Sequence, residues 1–154
     1  MEEQKVRLMH YDPRWRQEFQ QTKSSILQSC AGWVTAVEHV GSTAISGLIA
    51  RPTIDVLAAV ESEAALATAA LLIEGLNFRI NESPDWTTEP IVLGKPRHLS
   101  SAQPDPTHCV WLVIHGSECW LRMIRMRDWL RDQKETAIRF EEAKVARWRS
   151  GEGE

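Results

Sequence analysis

The sequence predicts an α+β domain, a mixed and mainly antiparallel sheet flanked by helices, and three observations carry that prediction. Strand and helix periodicities run β, α, β, β, α, β, then a loop-flanked strand, a further strand and two helices, with no strict βαβ alternation. The run 53–60 is nearly all apolar, as expected of an interior strand covered on both faces. A length of 154 residues supplies one full hydrophobic core without disulfide or metal support, so residues 1–150 are read as a single domain and 151–154 as a disordered tail.

Val6 to Met9 alternates as a short strand. Asp12-Pro13 supplies a helix cap and a first helical residue, and Trp15, Phe19, Thr22, Ile26 and Leu27 then recur at helical spacing until Ala31-Gly32. Val34 to Val40 reads as a strand, Thr53 to Val60 as the next, interrupted by Asp55. Ser62 opens an alanine- and leucine-rich helix that Gly75 stops, before a strand near 77–80. Pro84, Pro90, Pro96 and Pro104 surround the apolar run Ile91 to Leu93, which predicts an edge strand between loops. Thr107 to His115 is the last strand, Ser117 caps a helix to about Asp132, and a final helix runs from about Gln133 to Trp148.

Composition narrows the function classes. Eighteen basic against 21 acidic residues leave a net charge of -3, so no global positive field exists for nucleic acid or an anionic membrane, and any phosphate-binding charge must be local. Cys30, Cys109 and Cys119 form an odd set with no CxxC pair, which fits neither a disulfide framework nor a zinc site and predicts a reducing cytoplasm. The N-terminus begins with acids and has no apolar core, so it is not read as a signal peptide. The longest weakly polar run, Ala64 to Ile73, is about half of the ~20 residues that span a bilayer.

The chemistry concentrates in VEHVGSTAISGLIARPTIDVLAAV. A glycine directly after a strand lets the backbone turn sharply and approach a ligand. Backbone N–H groups there, with the hydroxyls of Ser42 and Thr43, can hold phosphate oxygens. Asp55 on the next strand can carry Mg²⁺ between protein and phosphates.

With their neighbours these residues reach a known pattern. YDPRW, VEHVGSTAISGL, RPTIDVL, THCVWLV and RMRDWLR, in that order across nearly the whole chain, resemble the GrpB family, also called UPF0157. The Gly-Ser turn followed by an apolar-Asp strand is similar to the signature of the nucleotidyltransferase superfamily, so the resemblance implies a nucleotidyltransferase-like fold. It also implies nucleotidyl or related group transfer as the default reaction. Such transfer uses two carboxylates on alternate strand positions sharing two metals. Here the position after Asp55 in that alternation is Leu57, which cannot ligate Mg²⁺, and Glu38 is the nearest other acid. Ser46 stands where the family usually has proline, and Arg51 where lysine is usual.

The remaining candidates each have a bland alternative. Asp55 has either a ligand or metal role, or bonds to backbone amides or Arg51, because an unpaired carboxylate in an apolar run would cost several kcal/mol. Glu38 and His39 alternate and face opposite sides, so only one looks into the site. His108 lies where the family segment tends to carry histidines, with Trp111 standing where another often occurs; it is an acid, base or ligand, or a structural histidine. Lys95 and Arg97 in the proline-rich stretch bind an anion or are solvated loop charges. The helix after Ser117 carries an apolar stripe through Trp120, Met123, Ile124 and Leu130, and Arg127 falls inside it with Arg131 one turn on. Arg127 therefore needs an anionic partner: Asp55, Glu38 or a substrate group. Lys144 reads as a solvated charge, and Trp86 in a polar loop as a surface for stacking on a ring.

The expectation is a protein that binds an anionic small molecule, phosphorylated or carboxylated and including nucleotides, through Gly41, Ser42, Thr43, Arg51, Lys95, Arg97, Arg127 and Arg131. Asp55, Glu38 and His108 are its catalytic candidates, with Asp55 the metal ligand. The alternative keeps the fold without nucleotidyl transfer, as a metal-independent enzyme of other chemistry or as a non-catalytic binding module. An interaction partner for another protein would show an exposed apolar patch around 83–93.

Overall fold

The computed structural model describes residues 8–81, 89–100 and 105–149. Pro84, Trp86, Pro104 and the tail 151–154 lie outside these residues, as does the side chain of Lys144. The strand expected at 6–9 lies mostly outside them too, and Met9 is seen paired with Ala50 in an isolated bridge, each N–H reaching the other's carbonyl at 2.9 and 3.0 Å.

Helix α1 (Arg14–Ser29) follows the cap expected of Asp12: its Oδ1 accepts from the Arg14 N–H at 2.9 Å, with Pro13 already in helical geometry. Strand β1 (Val34–Val40) leads through Gly41 into a single 3₁₀ turn (Ser42–Ala44) and on to β2 (Ile54–Val60). Then come α2 (Ala64–Glu74), the two-residue β3 (Arg79–Ile80), β4 (Ile91–Lys95), β5 (His108–Ile114), α3 (Glu118–Asp132) and α4 (Lys134–Arg149). The Ser117 hydroxyl caps α3, accepting from the Trp120 N–H at 3.2 Å.

The five strands lie in the order β1-β2-β5-β4-β3. β2 runs parallel to β5, and the β1-β2, β5-β4 and β4-β3 pairs are antiparallel, so the sheet is mixed and mainly antiparallel. β2 is interior, and every one of its residues except Asp55 is 0 % exposed. The expected edge strand is corrected: β4 lies between β5 and β3, although β3 covers it only at Leu93 and Gly94. Ile91 and Leu93 are buried in the core, so they offer no apolar patch to a partner.

Strand alternation gives the sheet two apolar faces. Val37, Ile54, Val56, Ala58, Val110 and Leu112 pack against Trp15, Phe19 and Ile26 of α1 and the small residues of α2. Val40, Leu57, Ala59 and Val113 pack against Trp120, Met123 and Ile124 of α3, which is the stripe seen in the sequence. A third cluster, Ile45, Leu48 and Ala137 with Leu130, ties the loop after the 3₁₀ turn to the α3-α4 corner. Among the described residues no helix is long and apolar enough to cross a membrane.

Candidate functional site

The Gly-Ser turn is built against Asp55. Gly41 has φ 75° and ψ -177°, a region that only glycine occupies at low cost. A Cβ there would overlap Asp55 Oδ2 and come within 3.0 Å of its Cβ and Cγ, so glycine is required both by the turn and by the space beside the carboxylate. Among the described residues Asp55 meets neither Arg51 nor a backbone amide. Its Oδ1 accepts from the Trp111 indole N–H at 3.2 Å, two positions along β5 from Cys109, which Asp55 faces in register. Burial pushes the Asp55 carboxyl up to about 6, and the single indole bond only partly opposes that.

Glu38 lies on the same sheet face as Asp55, two positions along β1 from Val40, the residue opposite Asp55. Its Oε1 accepts from Arg127 Nη1 at 2.7 Å, and Asp128 Oδ1 holds the same guanidinium at 3.0 Å. Arg127, 11 % exposed, thus meets the requirement its place in the apolar stripe creates. A two-metal centre requires facing carboxylates free to ligate. Here Leu57 is fully buried, Glu38 is committed to Arg127, and Asp55 is the carboxylate beside the turn. No group of three His, Cys, Asp or Glu among the described residues could hold a metal ion.

The other expected residues separate. His108 points to the opposite sheet face, beside Lys95 and Glu18, in a cleft of about 300 Å³ with Phe78. Thr107 gives its hydroxyl proton to the Lys95 carbonyl, so His108 Nδ1, 2.8 Å away, donates to Thr107. His108 Nε2 stands 4.0 Å from Glu18, but burial and then Lys95 push the imidazole down to about 4, so this is a contact with a neutral ring and no ion pair. Lys95 stacks over Phe78 at 5.5 Å. Arg51 and Arg97 are exposed.

Thr43, by contrast, is buried, donating to the Thr53 carbonyl at 3.2 Å and standing 3.0 Å from His39 Nε2. Thr43 and His39 both line a cleft of about 360 Å³, together with Tyr11, Ser46 and the cations Arg16, Arg131 and Lys134. Three positive side chains from α1, α3 and α4 meet there, and among the described residues no carboxylate lines the wall. Arg131 donates to the Ala44 carbonyl, which holds it at the turn. Burial and then the charge of Arg127 hold the Arg131 guanidinium below its ordinary value. Sequence reading reached Thr43 and Arg131 of this cleft. It missed Arg16, Lys134 and His39, whose only signals were two ordinary surface charges and one alternation.

A mixed five-stranded sheet between helices, with a glycine turn packed on a strand aspartate, defines an α+β domain of known architecture. The crystal structure of the conserved protein GrpB from Enterococcus faecalis has the same fold, with a TM-score of 0.76 at 22% identity over 94% of this chain and 84% of that one. The family model described as GrpB protein matches residues 5–153, and the chain belongs to the GrpB family. A UPF0157 protein of Halalkalibacterium halodurans is 35% identical over 128 residues, 82% of this chain and 60% of the relative. One from Pseudomonas aeruginosa is 28% identical over 146 residues, 94% of this chain and 58% of the relative. The chain thus spans about three fifths of the length of these two relatives.

Proposed function

We propose that this chain binds a phosphorylated or carboxylated small molecule, a nucleotide being one such ligand, in the cleft between the start of α1, the Gly-Ser turn and the α3-α4 corner. The observation that carries the reading is the convergence of Arg16, Arg131 and Lys134 on one cleft with no carboxylate among its described lining residues, in a chain of net charge -3. Asp128 and Glu38 offset the charge of Arg131 only from outside the cleft, so the gathered cations still repel one another, and an anionic ligand removes that cost while gaining charge-assisted hydrogen bonds. The fold we take to be nucleotidyltransferase-like, on the strength of the Gly41 turn and its packing against Asp55. The donors beside that turn do not favour two-metal nucleotidyl transfer, because Glu38 serves Arg127 and Leu57 takes the second position. Ligand recognition without resident metal is the reading they support.

Isothermal titration with inorganic phosphate and with a nucleoside triphosphate, each with Mg²⁺ and with chelator, tests this. Binding should survive the chelator, and Arg131→Met or Arg16→Met should each weaken it by roughly 10-fold or more, the effect of losing one charge-assisted hydrogen bond. Absence of binding by the wild type removes the reading. Binding only with Mg²⁺, abolished by Asp55→Asn, would restore the metal-dependent one.

A further inference from the structure

His39 forms part of the cleft wall, and its hydrogen bonds determine what the ring presents. The Thr43 hydroxyl has one proton, which goes to the Thr53 carbonyl, so towards His39 Nε2 it can only accept. Nε2 therefore carries the ring proton and Nδ1 a lone pair. Stacking on Phe19, with centroids 4.6 Å apart and planes 8° from parallel, holds the ring in that orientation. Nδ1 bonds no described protein group, and the ring that carries it lines the cleft. Burial first, then Arg131, Arg127 and Arg16, push the imidazole down to about 4, so at neutral pH the ring is neutral and Nδ1 accepts and does not donate. Lys134 adds a further positive charge from α4, and Glu38, beside His39 on β1, faces the other side and is held by Arg127. Beside these cationic donors, His39 Nδ1 is a side-chain nitrogen that can only accept.

We propose that His39 determines specificity in this cleft: the ligand is a hydroxylated anion whose phosphate or carboxylate meets Arg16, Arg131 and Lys134 while a hydroxyl beside it donates to His39 Nδ1. An acceptor-only anion would set a lone pair against Nδ1 and leave that nitrogen desolvated and unpaired. The proposal rests on the cleft being an anion site, and matched esters separate the two claims. Titration at pH 7 compares 2-hydroxyethyl and 3-hydroxypropyl phosphate with ethyl and propyl phosphate. The wild type should bind at least one hydroxylated ester about 3- to 10-fold more tightly than its plain partner, the range of one neutral hydrogen bond. In His39→Phe, which keeps a ring on Phe19 but cannot accept, that ratio should fall to about one while both esters still bind. Thr43→Val, which removes the acceptor that fixes the tautomer, should lower the ratio at least about twofold, and it carries the test where His39→Phe does not fold. Equal binding by the wild type, or a ratio unchanged in these variants, overturns the role of His39 while leaving the anion site standing. Failure of every ester to bind the wild type overturns both.

Discussion

Replacing Gly41 with alanine sets a methyl group onto Asp55 Oδ2 and 3.0 Å from its Cβ and Cγ, at a φ of 75° that alanine tolerates poorly. Two costs combine. Holding a non-glycine residue in this backbone region costs about 1–3 kcal/mol, and overpacking against a fixed neighbour about 1–3 kcal/mol more. Asp55 cannot swing aside freely, because its other oxygen is held by the Trp111 indole. Gly41→Ala should therefore lower the free energy of unfolding by about 2–6 kcal/mol, measured by urea denaturation, with an unchanged slope. The steric part belongs to the pair, so in an Asp55→Ala background Gly41→Ala should cost only the backbone part, about 1–3 kcal/mol. Equal costs in the two backgrounds would refute the claim that the turn is built against the aspartate.

Other perturbations follow from the same contacts. Burial pushes the Asp55 carboxyl up to about 6 in the fold from an ordinary value of 3.8, so the folded state holds the extra proton between those values. Its contribution is fully present below about pH 4 and is lost as pH rises through about 6, so Asp55→Asn should flatten that part of the pH-stability curve and be the more stable protein at pH 7, by roughly 1–3 kcal/mol. A wild-type curve that does not fall relative to Asp55→Asn across that window would contradict it. Glu38→Gln leaves Arg127, 11 % exposed, with Asp128 as its remaining carboxylate and should cost about 1–2 kcal/mol in chemical denaturation. Removing both charges, as Glu38→Gln with Arg127→Leu, should cost less than the sum of the two single changes. The Glu89 carboxylate accepts from the Ile114 N–H at 2.7 Å and the Ser117 hydroxyl at 2.9 Å, so Glu89→Ala should destabilise the β5-α3 turn by about 1–3 kcal/mol and speed amide exchange at Ile114.

Much of the frame was legible because its causes are local. β1 has the bounds its alternation predicted, and Ser117 caps α3 as its residue type favours. Arg127 was legible by contradiction, since a guanidinium inside an apolar stripe demands a counter-charge, and Glu38 supplies it. What escaped is set by distant pairing. β4 is interior only because two residues of β3 lie beside it, a signal too short to read. Asp55 meets an indole 56 residues away along the chain. His39 faces the cleft because Phe19 of α1 stacks on it, whereas His108, the more plausible histidine by family pattern, points to a different cleft beside Glu18. Arg16 and Lys134 look like any exposed charges until α1 and the α3-α4 corner bring them together.

The central claim is that the three cations make an anion site at the Gly-Ser turn, and amide chemical-shift mapping during titration with inorganic phosphate tests it most directly. The account predicts saturable shifts confined to Arg16, Thr43 to Ser46 and Arg131 to Lys134, lost in Arg131→Met. Shifts centred instead on Asp55 and Trp111, or no saturable shift at millimolar phosphate, would contradict it.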